Sequence, residues 1–199
     1  MKAYVIGGSP CSGKSTVASY IADHYNLFYF KVDDKLEEYT EIGAERGYKM
    51  CSKIRGMTAE ETWMRPPELQ TSEELAFYRE IFPFVLQDMK KISVPLIAEG
   101  AAFLPELVKD LAVESYVCIT PSKQFQIEHY RQREWVQYVL HDCSDPQKAF
   151  ENWMERDALF AERVRKQCKE LGVCSVITDG EQTIDEQIDA VLRAFRLKE

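Results

Sequence analysis

The sequence predicts an α/β protein built on a five-stranded parallel sheet, and three observations lead there. Short apolar runs recur along the chain, each ends in polar or turn residues, and helical apolar periodicity fills the gaps between them. Parallel neighbours need a crossover connection, and a helix is the usual one. At 199 residues the chain suits one domain with a substantial core.

Ala3-Tyr4-Val5-Ile6, bounded by Gly7-Gly8, reads as a strand buried on both faces. From Lys14 the residues Val17, Tyr20, Ile21 and Tyr25 recur at helical spacing, and Leu27 to Val32 follows as a second strand ending at Asp33-Asp34. Val94 to Ala98 ends at Glu99-Gly100, Ser115 to Ile119 at Thr120-Pro121, and Cys174 to Ile177 at Thr178-Asp179-Gly180. Between them, Leu75, Tyr78, Ile81, Phe82, Val85 and Met89 form one helical face, with Pro83 expected to kink it. Phe150, Trp153, Met154, Phe160, Val164 and Cys168 form another. Thr183 and Glu186 stand at capping-box spacing before a last helix with the stripe Ile188, Val191, Leu192 and Phe195. The stretch 33–91 is too long for one crossover helix. Thr58 with Glu61 and Thr71 with Glu74 have the same capping spacing, so a folded helical insert above the sheet is expected there.

Composition narrows the function. With 45% hydrophobic residues the chain should fold, and a net charge of −8 offers no basic face for a nucleic acid polymer. No apolar run is long enough to span a membrane, and no signal-peptide pattern opens the chain. The six cysteines contain no C-x-x-C pair and sit largely in apolar runs, which fits a reducing, cytoplasmic setting. A monomer or homodimer is expected. His24, His129 and His141 are scattered, and His141 with Cys143 lacks the further ligands of a zinc site.

The segment Gly8-Ser9-Pro10-Cys11-Ser12-Gly13-Lys14-Ser15 matches G-x-x-x-x-G-K-[ST], a pattern that chance gives in about one in a hundred chains of this length. It lies between a predicted strand and a predicted helix, as the chemistry requires. Glycines let successive N–H groups converge on phosphate oxygens at a positive helix terminus. Lys14 would reach the β/γ-phosphates and Ser15 would bind Mg²⁺; the alternative is a plain strand-to-helix turn with an exposed lysine. Pro10 has no N–H, so the amides of Cys11 to Thr16 would carry the contacts. Ligands in open α/β sheets collect beyond the strand carboxyl ends, which places Asp33, Asp34 and Glu99 around the same crevice.

Gly8 to Thr16 resembles the G-x-P-G-S-G-K-[ST] loop of the small P-loop kinases, the group containing shikimate, gluconate and nucleoside monophosphate kinases. The order of elements is similar throughout the chain. The resemblance implies a three-layer α/β/α P-loop NTPase fold with a helical substrate-binding insert (33–91), a lid (about 129–147), and ATP with Mg²⁺ as phosphoryl donor to a small-molecule acceptor. It implies an acidic pair after the second strand, with Asp34 expected on the acceptor hydroxyl and Asp33 on the metal side. Either could instead be a helix cap. Glu99 stands where a Walker-B acid is usual, as a metal-water ligand or, with Gly100, a substrate contact; a structural ion pair is the alternative. Arg131 and Arg133 are the lid candidates for closing on the γ-phosphate, though their two-residue spacing keeps them off one helical face. Asp179 lies where such kinases pass the adenine base, with an ordinary turn as the equal alternative.

Cys11 departs from the family pattern, where glycine is usual, and sets a thiol beside a helix N-terminus, where a lowered pKa and redox sensitivity are one expectation. A tolerated small residue is the other. Arg46, Arg55, Arg65 and Arg79 could grip an anionic acceptor, Arg55 being the chosen candidate, while Trp63 and Tyr48 suit either stacking on a ligand or core packing. The activity expected is a kinase acting on a hydroxyl of an anionic metabolite. A nucleoside monophosphate kinase and a catalytically weak ATP-binding regulator are the alternatives, and the absence of N-K-x-D argues against a GTPase.

Overall fold

The computed structural model describes residues 2–197. Five strands, β1 (Ala3–Gly8), β2 (Phe28–Lys31), β3 (Leu96–Glu99), β4 (Ser115–Pro121) and β5 (Cys174–Thr178), form one sheet in the order β2-β3-β1-β4-β5. All pairs are parallel. The order reverses at β1, so the segment leaving β1 opens at a switch point, where such sheets hold ligands.

Alternation along the strands sorts the core. Ala3, Val5, Phe30, Val32, Leu96 and Ala98 point to one face, against α5 (Pro67–Lys91) and α9 (Pro146–Leu171). Tyr4, Ile6, Ile97, Val117 and Ile119 point to the other, against α1 (Lys14–Tyr25) and α10 (Ile184–Phe195). The result is three layers. The Thr183–Glu186 capping box forms as expected at the start of α10.

Residues 33–91 fold as a 3-10 turn at Asp33–Lys35 followed by α2 (Leu36–Glu45), α3 (Lys49–Arg55), α4 (Ala59–Trp63) and α5. The helical character holds, and Tyr39, Ala44, Met50 and Cys51 of α2 and α3 join α5 in the core on that face of the sheet. The Thr58–Glu61 box caps α4. The expected second box does not form: Thr71 lies inside α5, and its hydroxyl donates to the carbonyls of Pro67 and Arg156. A helix already begun at Pro67 uses that hydroxyl for back-bonding rather than capping. The helix α5 continues through Pro83.

β2 is shorter than predicted, and Phe28 is 49% exposed because β2 is an edge strand. Beyond β3 comes α6 (Pro105–Val108), and beyond β4 come α7 (Lys123–Arg131) and α8 (Glu134–Leu140). These last two pack on α9 through Tyr130, Val136, Leu140, Phe150, Trp153 and Met154. That cluster anchors the expected lid segment to the start of a long helix. No helix among the described residues is long and apolar enough to cross a membrane.

Candidate active site

The loop from Gly8 to Gly13 leaves the sheet between β1 and α1. Gly8 has φ 124°, and a Cβ there would sit 1.8 Å from the Ile119 carbonyl oxygen of β4, so the exit requires glycine. Cys11 adopts φ 60°, the left-handed conformation that a glycine would take without cost. Gly13, at φ 81°, is the N-cap of α1 and supplies no capping side chain.

The cradle is buried and polar. Ser9 and Ser12 are almost fully enclosed, and their hydroxyl oxygens have no hydrogen-bond partner. Lys14 is 8% exposed and its ammonium donates to the Ser9 carbonyl at 2.7 Å, inside the loop rather than out to solvent. The lysine is therefore not exposed, as the plain-turn alternative would have it. Behind the loop, the Ser12 carbonyl accepts from Thr178 Oγ1 at 2.8 Å and from Gln187 Nε2 at 2.9 Å. Sequence inspection missed both braces, since they join the loop to positions more than 160 residues away. Asp179 is beside this brace but uses Oδ1 to accept the Glu181 amide within its own turn.

Glu99 is brought to Ser15. Strand pairing sets Glu99 opposite Ile6 and Lys31, on the α1 face of the sheet, and the carboxylate is 0% exposed. Its Oε1 accepts from the Ser15 hydroxyl at 3.0 Å and from the Tyr29 hydroxyl at 3.1 Å, while Oε2 has no hydrogen-bond partner. Burial and the neighbouring Glu99 charge push the Tyr29 phenol upward. Hydroxyl and carboxylate oxygens are the donors magnesium takes, and an unpartnered buried carboxylate oxygen fits a site completed by a cation. No cluster of three or more His, Cys, Asp or Glu forms a metal cage among the described residues.

The acidic pair separates as the 3-10 turn rotates successive residues apart. The Asp33 charge bears on Tyr78 of α5, whereas the Asp34 charge bears on Tyr29, on the Glu99 side. Asp34 is also outward, with a 70% exposed side chain 3.6 Å from Lys31.

The two arginines expected in a lid diverge. Arg133 Nη2 donates to Cys11 Sγ at 3.5 Å, and its guanidinium lies over the rings of Tyr130 (4.8 Å) and Trp135 (5.7 Å). Arg131 lies over Phe150, 6.0 Å from the ring centroid, and is not brought to the loop. Burial pushes the Cys11 thiol up, although Arg133 pulls the other way, so the expectation of a lowered pKa fails.

The arginines expected to hold an acceptor are engaged with protein groups. Arg55 pairs with Glu41 at the surface, Arg65 with Glu73, and Arg79 with Glu106. Arg46 lies over Phe84, 4.9 Å from its ring centroid. Trp63 stacks on Trp153 and Tyr48 on Phe84, so both rings belong to the packing.

One buried cluster had no sequence signal. Arg156 Nη1 lies 2.6 Å from Glu74 Oε2, and its Nε lies 2.7 Å from Asp157 Oδ1. Gln126 donates to Asp157 Oδ2 at 3.2 Å, and Tyr78 donates to Glu74 at 3.2 Å. Burial pushes Asp157 up to about 7; Arg156 opposes this and the Glu74 charge reinforces it. A carboxyl with a folded pKa above its ordinary value stabilises the fold fully below that ordinary value and loses the contribution as pH rises through 7. The stability of the wild type relative to Asp157→Asn is therefore expected to fall from pH 4 to pH 7 and then level. Urea unfolding of both proteins across that range checks it, and a constant difference contradicts it.

Among solved structures the fold recurs in TT1252 from Thermus thermophilus, at 13% identity and a TM-score of 0.54, covering 100% of this chain and 98% of that one. An uncharacterized protein from Eubacterium ventriosum ATCC 27560 matches at 14% identity and 0.53, covering both chains completely. Shikimate kinase from Acinetobacter baumannii, solved with shikimate, matches at 15% identity and 0.50, covering 99% of this chain and 95% of that one. No protein-family model and no curated protein sequence matches the chain. At these identities the likeness is one of fold.

Proposed function

We propose that this chain, which shares its fold with shikimate kinase, is an ATP- and magnesium-dependent phosphotransferase acting on a hydroxyl of a small-molecule acceptor. The observation that carries the reading is the cradle: a buried Lys14 and two enclosed, unpartnered serine hydroxyls in a loop that opens directly onto α1. A triphosphate supplies acceptor oxygens for all of these donors and meets the positive end of the helix. Ser15 and Glu99 would hold the magnesium ion, which when bound neutralises charge on the phosphate oxygens.

In the reaction the acceptor oxygen attacks the γ-phosphorus, the bond from the γ-phosphorus to the β,γ-bridging oxygen breaks, and ADP leaves. The acceptor proton needs a base or an orienting carboxylate, and the acidic pair in the 3-10 turn after β2 would supply it, with Asp34 on the acceptor and Asp33 on the metal side. Lys14 positions the phosphates and Arg133 stands ready over the loop to meet the charge that spreads onto the γ-phosphoryl oxygens. The acceptor is assigned as a small hydroxylated molecule without a stated charge, because an anion would have to displace a carboxylate from each arginine of the insert that is ion-paired.

ADP release measured over a panel of hydroxylated metabolites tests the reading: one acceptor should raise it well above the rate with ATP alone. Nucleotide binding with no acceptor-dependent turnover across the panel would contradict it. Asp34→Asn is expected to lower kcat by about a hundredfold while leaving ATP affinity within about twofold. If Asp33→Asn shows that pattern instead, the assignment of the pair is wrong.

A further inference from the structure

We propose that Tyr29 is a positioning residue for the cation site: its hydroxyl pins one oxygen of Glu99 so that the other is left for the metal. The proposal rests on the magnesium–ATP reading above and assigns a part of that site which neither the loop motif nor the strand-end acids reveal.

The placement follows from strand register. β2 and β3 pair in parallel with Tyr29 opposite Ile97 and Lys31 opposite Glu99, so Tyr29, Ile97 and Glu99 share the sheet face that meets α1. The first turn of α1 brings Ser15 to the same carboxylate. Glu99 Oε1 then accepts two hydroxyl protons, one from Tyr29 at 3.1 Å and one from Ser15 at 3.0 Å.

The asymmetry between the two carboxylate oxygens matters. Oε2 is buried with no partner while Oε1 has two, and a buried carboxylate oxygen without a donor is costly unless a ligand completes it. A serine hydroxyl whose single proton goes to Glu99 has its lone pairs left for a cation. Ser15 and Glu99 Oε2 together therefore present acceptor atoms without donors. Tyr29 reaches Glu99 from the sheet, and its hydroxyl also lies 3.5 Å from the Ser15 carbonyl, with the shorter approach, 3.1 Å, to Glu99 Oε1. Its phenol turns on two side-chain torsions, which makes it a stiff anchor compared with a lysine or glutamine.

Tyr29→Phe removes the hydroxyl and keeps the ring. Two measurements are made on each protein: ATP affinity in EDTA, and Mn²⁺ affinity of the protein–ATP complex by electron paramagnetic resonance. Losing one hydrogen bond to a charged group is expected to weaken Mn²⁺ binding about five- to tenfold, with metal-free ATP affinity within about twofold of wild type. Glu99→Gln gives the benchmark and should weaken Mn²⁺ binding further. Unchanged Mn²⁺ affinity in Tyr29→Phe, or an equal loss of metal-free ATP affinity and thermal stability with no separate effect on the metal, would overturn the assignment. Wild-type protein that binds neither ATP nor Mn²⁺–ATP would overturn the magnesium–ATP reading itself, an outcome distinguishable from failure of Tyr29 alone.

Discussion

Lys14→Ala is expected to lower acceptor-dependent ADP formation by about a hundredfold or more and to weaken ATP binding with it. The ammonium is 8% exposed and already directed into the loop, donating to the Ser9 carbonyl at 2.7 Å. A lysine kept that far from water, in a segment with unpartnered Ser9 and Ser12 hydroxyls, lies where an anion would pair it. The substitution should leave the fold intact, because Thr178 and Gln187 hold the loop from behind through the Ser12 carbonyl. Calorimetric titration with ATP and a coupled ADP assay check both parts. Unchanged affinity together with an unchanged rate would remove Lys14 from the site.

Arg133→Ala is expected to lower turnover by about a thousandfold, the lower end of what an arginine closing on a γ-phosphate supplies, while Arg131→Ala changes it less than about threefold. Arg133 stands against Cys11 of the phosphate loop with Tyr130 and Trp135 beneath its guanidinium, which limits the conformations it can take before nucleotide arrives. Arg131 is the last residue of α7 and lies over Phe150. Turnover at saturating ATP in the two variants separates them. Equal losses, or a larger loss for Arg131→Ala, would reassign the lid arginine.

The parts of the site legible in sequence are those whose geometry is local. An apolar run, a glycine-spaced turn and a helix start fix the path from Ala3 to Tyr25, since the backbone freedom of Gly8 and Gly13 is a property of those residues. Glu99 was legible as a strand end, and register with β1 and β2 decided which face it serves. The division of roles between Asp33 and Asp34 was not legible as geometry, because adjacent residues of an exposed 3-10 turn point in different directions. Arginine pairing was not legible either: Arg156 meets Glu74 across 82 positions, and no local pattern announces such a partner. The structure brings Arg133 to the loop and leaves Arg131 aside; spacing alone said that they must part, not which would go where. Tyr29 carried a faint signal, a polar-tipped ring two residues before Lys31 in a short edge strand, but its meaning depended on the pairing partner. Thr71 shows the opposite error, a capping pattern inside a helix that Pro67 had already started.

The most direct measurement is a crystal structure of the protein with magnesium and a non-hydrolysable ATP analogue. The account predicts the β-phosphate oxygens within hydrogen-bond distance of main-chain amides from Cys11 to Thr16, with Lys14 released from the Ser9 carbonyl onto the phosphates. An analogue bound elsewhere, with Lys14 still on Ser9 and the loop amides unoccupied at saturating concentration, would contradict it.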